Sequence, residues 1–172
     1  MKKLIIGGAV AAGAGCILFS LLEATALAIT FGTFFYHLAM RLAVGYAMLL
    51  APRRFDPKAG WFAEHGWERK LYALLRVRQW KHKVPSSNPQ DFDIGRHSQE
   101  EIVQTMCVSE LVHEIIILLS FVPLTFAVPF GEFYVFLFTS IASAAFDSIF
   151  VILQRFNRPR LLKLIARTSL RR

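Results

Sequence analysis

Charge is scarce in this chain and cysteine nearly absent: 19% of its 172 residues are charged and two are cysteine. Cys16 and Cys107 lie in or beside apolar stretches and far apart in sequence, so neither a disulfide framework nor a cysteine zinc motif can be read. Acidic residues are the scarcer charge, 12 against 20 Lys and Arg, which leaves a net +8. No glycine-rich phosphate loop and no Gly-x-Ser-x-Gly elbow occurs, and none of the five histidines is followed by an aspartate with four residues between them. These absences remove the common soluble nucleotide-binding and hydrolase chemistries.

Apolar residues are what the chain has in excess. They make up 55% of it, and the mean hydropathy is +0.44, so a bilayer rather than water is the expected solvent. Residues 4–22 form 19 positions without a charge, about 28 Å of helix against a hydrocarbon core about 30 Å thick. Residues 24–52 form a second run that carries His37 and Arg41, residues 111–128 a third that contains Pro123, and residues 133–153 a fourth. A tight turn from Pro129 to Glu132 joins the last two into a hairpin.

Basic residues set the orientation. Lys2 and Lys3 precede the first run, ten Lys or Arg fall from Arg53 to Arg96, and seven follow the fourth run, nineteen of the twenty in all. An even number of spans puts all three basic segments on one side. The expected fold is an all-α integral membrane protein with four transmembrane helices, interfacial amphipathic helices and both termini cytoplasmic. Residues 1–172 form one multi-pass domain of the cell membrane, with a cytoplasmic loop at 53–110 and a basic tail at 154–172. Membrane lipid is the expected partner of that charge, and nucleic acid is not. A signal peptide ending at Ala26-Leu27-Ala28 is the competing reading of the start, though Glu23 interrupts its apolar region. Small residues four apart at Gly7, Ala11 and Gly15, and at Ser140, Ala144 and Ser148, predict close helix packing.

Between Gly60 and Lys83, Trp61, Phe62, Trp67, Leu71, Leu74, Leu75 and Trp80 alternate with Arg69, Lys70, Arg76, Arg78, Lys81 and Lys83. That pattern predicts a helix lying in the interface and ending at Pro85. Ser98 and Glu101 form a capping box that opens a long helix running into the third span. After the fourth span, Pro159 predicts a turn at Asn157 and Arg158, with an amphipathic tail returning to the surface.

Glu110, His113 and Glu114 are three and four residues apart, hence on one helical face where the surface part of the helix meets its apolar part. A histidine beside a carboxylate in a partly dry place is suited to act as a general base. The plain alternative is a set of paired polar residues at the mouth of a helix. A di-iron reading would need a second Glu-x-x-His, which the chain lacks, so no metal or cofactor is expected. His37 and Arg41, one helical turn apart, either line the same cavity or bond each other or a backbone carbonyl, and Asp147 in the fourth span reads as paired within the bundle. Arg155, Arg158 and Arg160 around Asn157 suit a phosphate or carboxylate, or plain anchoring to the membrane surface.

Three motifs in order, Trp80-Lys81-His82-Lys83, Glu110-Leu111-Val112-His113 and Gln154 to Leu161, resemble the glycosyl-4,4'-diaponeurosporenoate acyltransferase family. The resemblance implies a bacterial membrane enzyme that esterifies the glucose of a glycosylated carotenoid acid with a fatty acyl group, the last step in making staphyloxanthin. The shared face of Glu110, His113 and Glu114, with the arginine cluster near the same membrane surface, suggests His113 as the base that deprotonates the sugar hydroxyl and Glu110 as the group orienting it. Arg155, Asn157 and Arg158 would hold the acyl donor on its phosphorylated carrier or the developing oxyanion, Trp80, Lys81 and Lys83 would frame the mouth, and Glu114 would join the substrate-binding groups. A longer apolar amino-terminal part and a longer hairpin set this chain apart and leave another glycolipid hydroxyl open as acceptor. A non-catalytic membrane subunit and a transporter element are the readings from other classes.

Overall fold

The computed structural model describes residues 2–50, 54–84 and 89–170, and no strand occurs among them. Pro52 and Pro85, which close the second apolar run and the interfacial segment in the sequence reading, lie outside the described residues. Four helical segments are long and apolar enough to cross a membrane: Lys2–Leu21, Thr25–Leu50, Gln99–Phe130 and Phe133–Ser169. The chain divides into two compact units, Met1–Ala51 with Val112–Ser148 and Pro52–Leu111 with Ile149–Arg172.

In the first unit, α1 (Lys2–Leu21) packs along α2 (Thr25–Leu50). Glu23, in the left-handed region at φ 56°, makes the turn between them. In lipid there is little hydrophobic gain from bringing helices together, so close fit and polar bonds hold them. Gly15 supplies the fit, since a Cβ there would lie 2.5 Å from the Phe31 ring. The small-residue stripe itself is displaced from its expected positions. Gly7 meets nothing and Ala11 is exposed, while Gly8, Ala12 and Gly15 take the contact face. α1 is apolar on every side, so its sequence does not mark which side packs.

The second half of α5 (Gln99–Leu119) lies against α2, with Met40, Val44 and Ile116 at the centre of that contact. The Tyr36 hydroxyl donates to the Leu119 carbonyl at 2.9 Å. The third apolar run does not continue as α-helix to residue 128. It tightens into a 3₁₀ turn over Val122–Phe126 and a short α6, Ala127–Phe130, because Pro123 removes one i→i−4 bond. Gly131 and Glu132, both at positive φ, then reverse the chain into α7 (Phe133–Ser169). On α7 the stripe of Ser140, Ala144 and Ser148 is turned inward as expected, with Ser140 fully buried.

The second unit is built on α3 (Gly66–Leu74), α4 (Val77–Trp80), the start of α5 and the end of α7. Tyr72, Val77 and Phe156 form its core, with Trp80, Ile152 and Leu153 around them. The capping box at the start of α5 is closed in both directions: Ser98 N donates to Glu101 at 2.8 Å and Glu101 N to the Ser98 hydroxyl at 3.2 Å. The Gln104 amide exchanges two bonds with the backbone of Phe55, at 2.9 and 2.7 Å.

Two expectations are corrected here. The segment 60–83 is not one interfacial helix. Arg76 sits at φ 50° and splits it into α3 and α4, and the Trp80 indole N–H then donates to the Leu75 carbonyl at 2.8 Å. Trp61, Trp67 and Leu74 remain exposed, as headgroup anchors would be. The chain also does not turn at Asn157 and Arg158, since α7 runs on through Pro159 to Ser169. A proline inside a helix costs about 3 kcal/mol or more. The buried Phe156 and Arg158 hold the helix before it, and the Arg160 guanidinium donates to the Phe156 carbonyl across it.

Candidate functional site

Each unit holds one polar constellation in otherwise apolar surroundings. In the first unit, α2 brings Arg41, α5 brings His113 and Ser120, and α7 brings Ser143 and Asp147. Asp147 is 1% exposed and accepts from the Arg41 guanidinium on one oxygen, while its other oxygen lies 2.8 Å from Nδ1 of His113. Arg41 also donates to the Ser143 hydroxyl at 2.8 Å and to the His37 backbone carbonyl at 3.0 Å. Ser143 in turn bonds Ser120 at 2.8 Å. The carboxylate at bonding distance from the imidazole is thus an aspartate on α7. A proton on Nδ1, shared with a carboxylate, leaves the lone pair of an imidazole on Nε2. That tautomer, next to a fixed carboxylate, is the one a general base needs.

In the second unit, Glu110 is fully buried and both of its oxygens accept from guanidinium groups, one from Arg155 at 2.7 Å and the other from Arg158. Arg155 also donates to Glu68 and to the carbonyls of Trp61 and Ala63. Its five N–H groups thus all have acceptors within the protein. Arg158 donates to the Phe62 carbonyl at 2.6 Å and lies over the Phe62 ring. Two guanidinium and two carboxylate groups make this cluster neutral, which is what allows it to be buried. Lys81 donates to Asn157 at 3.1 Å over the Phe156 ring, and Lys83 is exposed nearby in sequence.

Of the residues singled out in the sequence, the fold brings Glu110, Arg155 and Arg158 together in one unit, and Lys81 with Asn157 and Trp80 beside the Phe156 core. Trp80 is half-buried there. His113 and the half-buried Glu114 belong to the other unit. Asp147 pairs inside the bundle, as its place in an apolar span predicts, and its partner is Arg41, which also bonds the His37 carbonyl. Glu68 and Tyr72 were not singled out at all. A signal existed: Glu68 is the single acid between Gly66 and Lys83, in a stretch crowded with bases. Among the described residues, no three His, Cys, Asp or Glu side chains are gathered as a metal ion would require.

Glu68 makes the cluster sensitive to acid. Burial pushes its carboxyl up, but bonds from Arg155 and from the Tyr72 hydroxyl at 2.5 Å outweigh this and hold it below the usual carboxylate range. Burial and the same bond push the Tyr72 hydroxyl the other way, up. A carboxyl depressed in the folded state stabilises above its unfolded value near 4.5, and that stabilisation fades as pH falls toward the folded value. Tyr72→Phe removes one of the bonds, so the acid limb of unfolding, followed by tryptophan fluorescence in detergent, should shift toward neutral pH. An unshifted limb would mean that Tyr72 does not tune Glu68.

The molecule is thus an all-helical protein of membrane-spanning type with a histidine–aspartate pair set among its apolar helices. The chain belongs to the glycosyl-4,4'-diaponeurosporenoate acyltransferase family, whose model matches residues 58–167. α1 and α2 fall outside that match. No curated protein and no solved structure matches the chain.

Proposed function

We propose that this chain is a membrane acyltransferase that moves a fatty acyl group onto a sugar hydroxyl of a glycosylated carotenoid acid. The family description supports the reaction class, and the observation that carries the assignment is the 2.8 Å contact between His113 Nδ1 and Asp147. Nε2 of His113 takes the hydroxyl proton as the sugar oxygen attacks the acyl carbonyl. The C–O ester bond forms, the bond to the carrier's leaving group breaks, and the imidazolium returns its proton to that group. Asp147 acts through His113, holding the ring in place and balancing its positive charge, and is a positioning residue. Arg41 does the same for Asp147.

Arg155, Arg158 and Glu110 are assigned to holding the second unit together, because all five Arg155 N–H groups and both Glu110 oxygens are bonded within it and Arg158 is buried against the same carboxylate and the Phe62 carbonyl. Lys81, Lys83 and Asn157 give the second unit groups suited to an anionic phosphate. The basic segments face the cytoplasm in this reading. A second reading keeps the chemistry and changes the acceptor to another glycolipid hydroxyl, in line with α1 and α2 lying outside the family match. Lipid and pigment extracts from cells with and without the gene, supplied with the glycosylated carotenoid acid, test both. Mass spectrometry should show an acyl ester of that acceptor only when the gene is present. An ester of a different glycolipid selects the second reading, and identical profiles reject the transferase.

A further inference from the structure

Polar side chains inside the first unit are bonded in a row: His113 to Asp147, Asp147 to Arg41, Arg41 to Ser143, Ser143 to Ser120, and Ser120 to the Ile116 carbonyl. Two buried groups stand outside that row. His37 on α2 is 4% exposed and Ser140 on α7 is fully buried. Among the described residues, neither ring nitrogen of His37 nor the hydroxyl of Ser140 meets a donor or acceptor.

Bonds across the bundle put these two at neighbouring depths. Tyr36 bonds Leu119 and Ser120 bonds Ser143, so α2, α5 and α7 are level at those residues. His37 follows Tyr36 directly, and Ser140 lies about one turn before Ser143. Arg41 ties α2 to α7 at the same place, donating to the His37 carbonyl at 3.0 Å and to the Ser143 hydroxyl at 2.8 Å. An open groove lined by Thr33, Tyr36 and Phe136 comes within about one turn of both His37 and Ser140. Buried polar groups nearly always have a partner, in the protein or from outside it.

The unused donors and acceptors define what that partner is. Arg41 and Asp147 already neutralise each other, so a charged ligand beside them would be buried without a counter-charge. A neutral imidazole offers one N–H and one lone pair, and the Ser140 hydroxyl can give or take a bond. A carbonyl only accepts and leaves the ring lone pair bare, and an alkyl chain serves none of these groups. A hydroxyl both gives and takes. We propose that His37 and Ser140 form a binding site for a neutral hydroxyl group, supplied by an internal water or by a sugar. The sugar source alone rests on the acyltransferase reading; there the site would hold a hydroxyl other than the one being esterified.

The test uses the full chain in nanodiscs with ¹⁵N in its histidine rings, and octyl glucoside below its micellar concentration as the sugar probe. His37→Phe keeps a ring, removes both nitrogens and so identifies the His37 signals. In wild type, magnetisation from water or from glucoside protons should reach the His37 ring, and Ser140→Ala should cut this several-fold. Transfer from water that the glucoside leaves intact assigns an internal water. Its replacement by transfer from glucoside protons assigns a sugar. In that case His37→Phe should raise KM for the glycosylated acceptor roughly tenfold, the worth of one lost hydrogen bond. His37→Gln, which keeps a donor and an acceptor, should recover most of that loss, and an unmoved KM would overturn the sugar source. Transfer to the His37 ring from lipid protons alone would overturn the site, and undiminished transfer in Ser140→Ala would overturn the pairing of the two residues. Failure of the transferase reading shows separately, as no ester from wild type, and leaves the ring measurement unaffected.

Discussion

Replacing His113 by alanine should lower acyl transfer by about 10² to 10⁴-fold, the usual contribution of a positioned general base, while leaving the protein inserted and folded. Folding should survive because Asp147, the buried partner left behind, still has the Arg41 guanidinium. The buried charge is therefore not stranded. Asp147→Asn should cost nearly as much activity, because an amide can turn its N–H₂ toward Nδ1 and favour the wrong tautomer. It also strips Arg41 of its carboxylate, so its folded fraction has to be measured alongside the rate. Ester formation by purified protein in vesicles, read as kcat and KM separately, distinguishes loss of chemistry from loss of binding. A His113→Ala protein that transfers acyl groups at the wild-type rate would end the assignment.

Glu110→Ala should destabilise the protein by about 3–5 kcal/mol, the cost of removing one partner from a buried ion pair. Arg155 would keep Glu68, the Trp61 carbonyl and the Ala63 carbonyl. Arg158, 1% exposed, would keep the Phe62 carbonyl and ring but lose its carboxylate. Against a total stability of about 5–15 kcal/mol, this is enough to lower the thermal midpoint in detergent by on the order of 10 °C. The double change Glu110→Leu with Arg158→Met should recover much of that loss, since a buried pair replaced by apolar groups of similar volume is often close to neutral. Recovery of stability together with activity would show that Glu110 serves the fold. Recovery of stability without activity would return Glu110 to the chemistry that its spacing from His113 suggested.

These two expectations separate residues that sequence spacing had grouped. Glu110 and His113 are less than one helical turn apart on α5, yet Glu110 pairs with two arginines and His113 with an aspartate. Spacing along a helix says which side chains share a face. It does not say what stands opposite. His113 and Asp147 are separated by 34 residues and Arg41 and Asp147 by 106, so the pairing depends on how α2, α5 and α7 come together. Intramembrane charges were a sound pointer all the same, because each such group must find a partner in a medium that offers no water.

What could be read from the chain alone was set by its solvent and by local bonding. Long uncharged runs can only be helices where backbone groups have no water to bond, so the four spans were legible from length and hydropathy. The Ser98–Glu101 cap closes over three residues and was equally legible. The helical course through Pro159, the break at Arg76 and the packing face of α1 were not, because each turns on contacts made by distant segments. The use of Arg155 and Arg158 was decided the same way: both carry charges that could as well have met phosphate. Only the folded chain, by bringing Glu68, Glu110 and three backbone carbonyls within reach of them, determined that they bind protein.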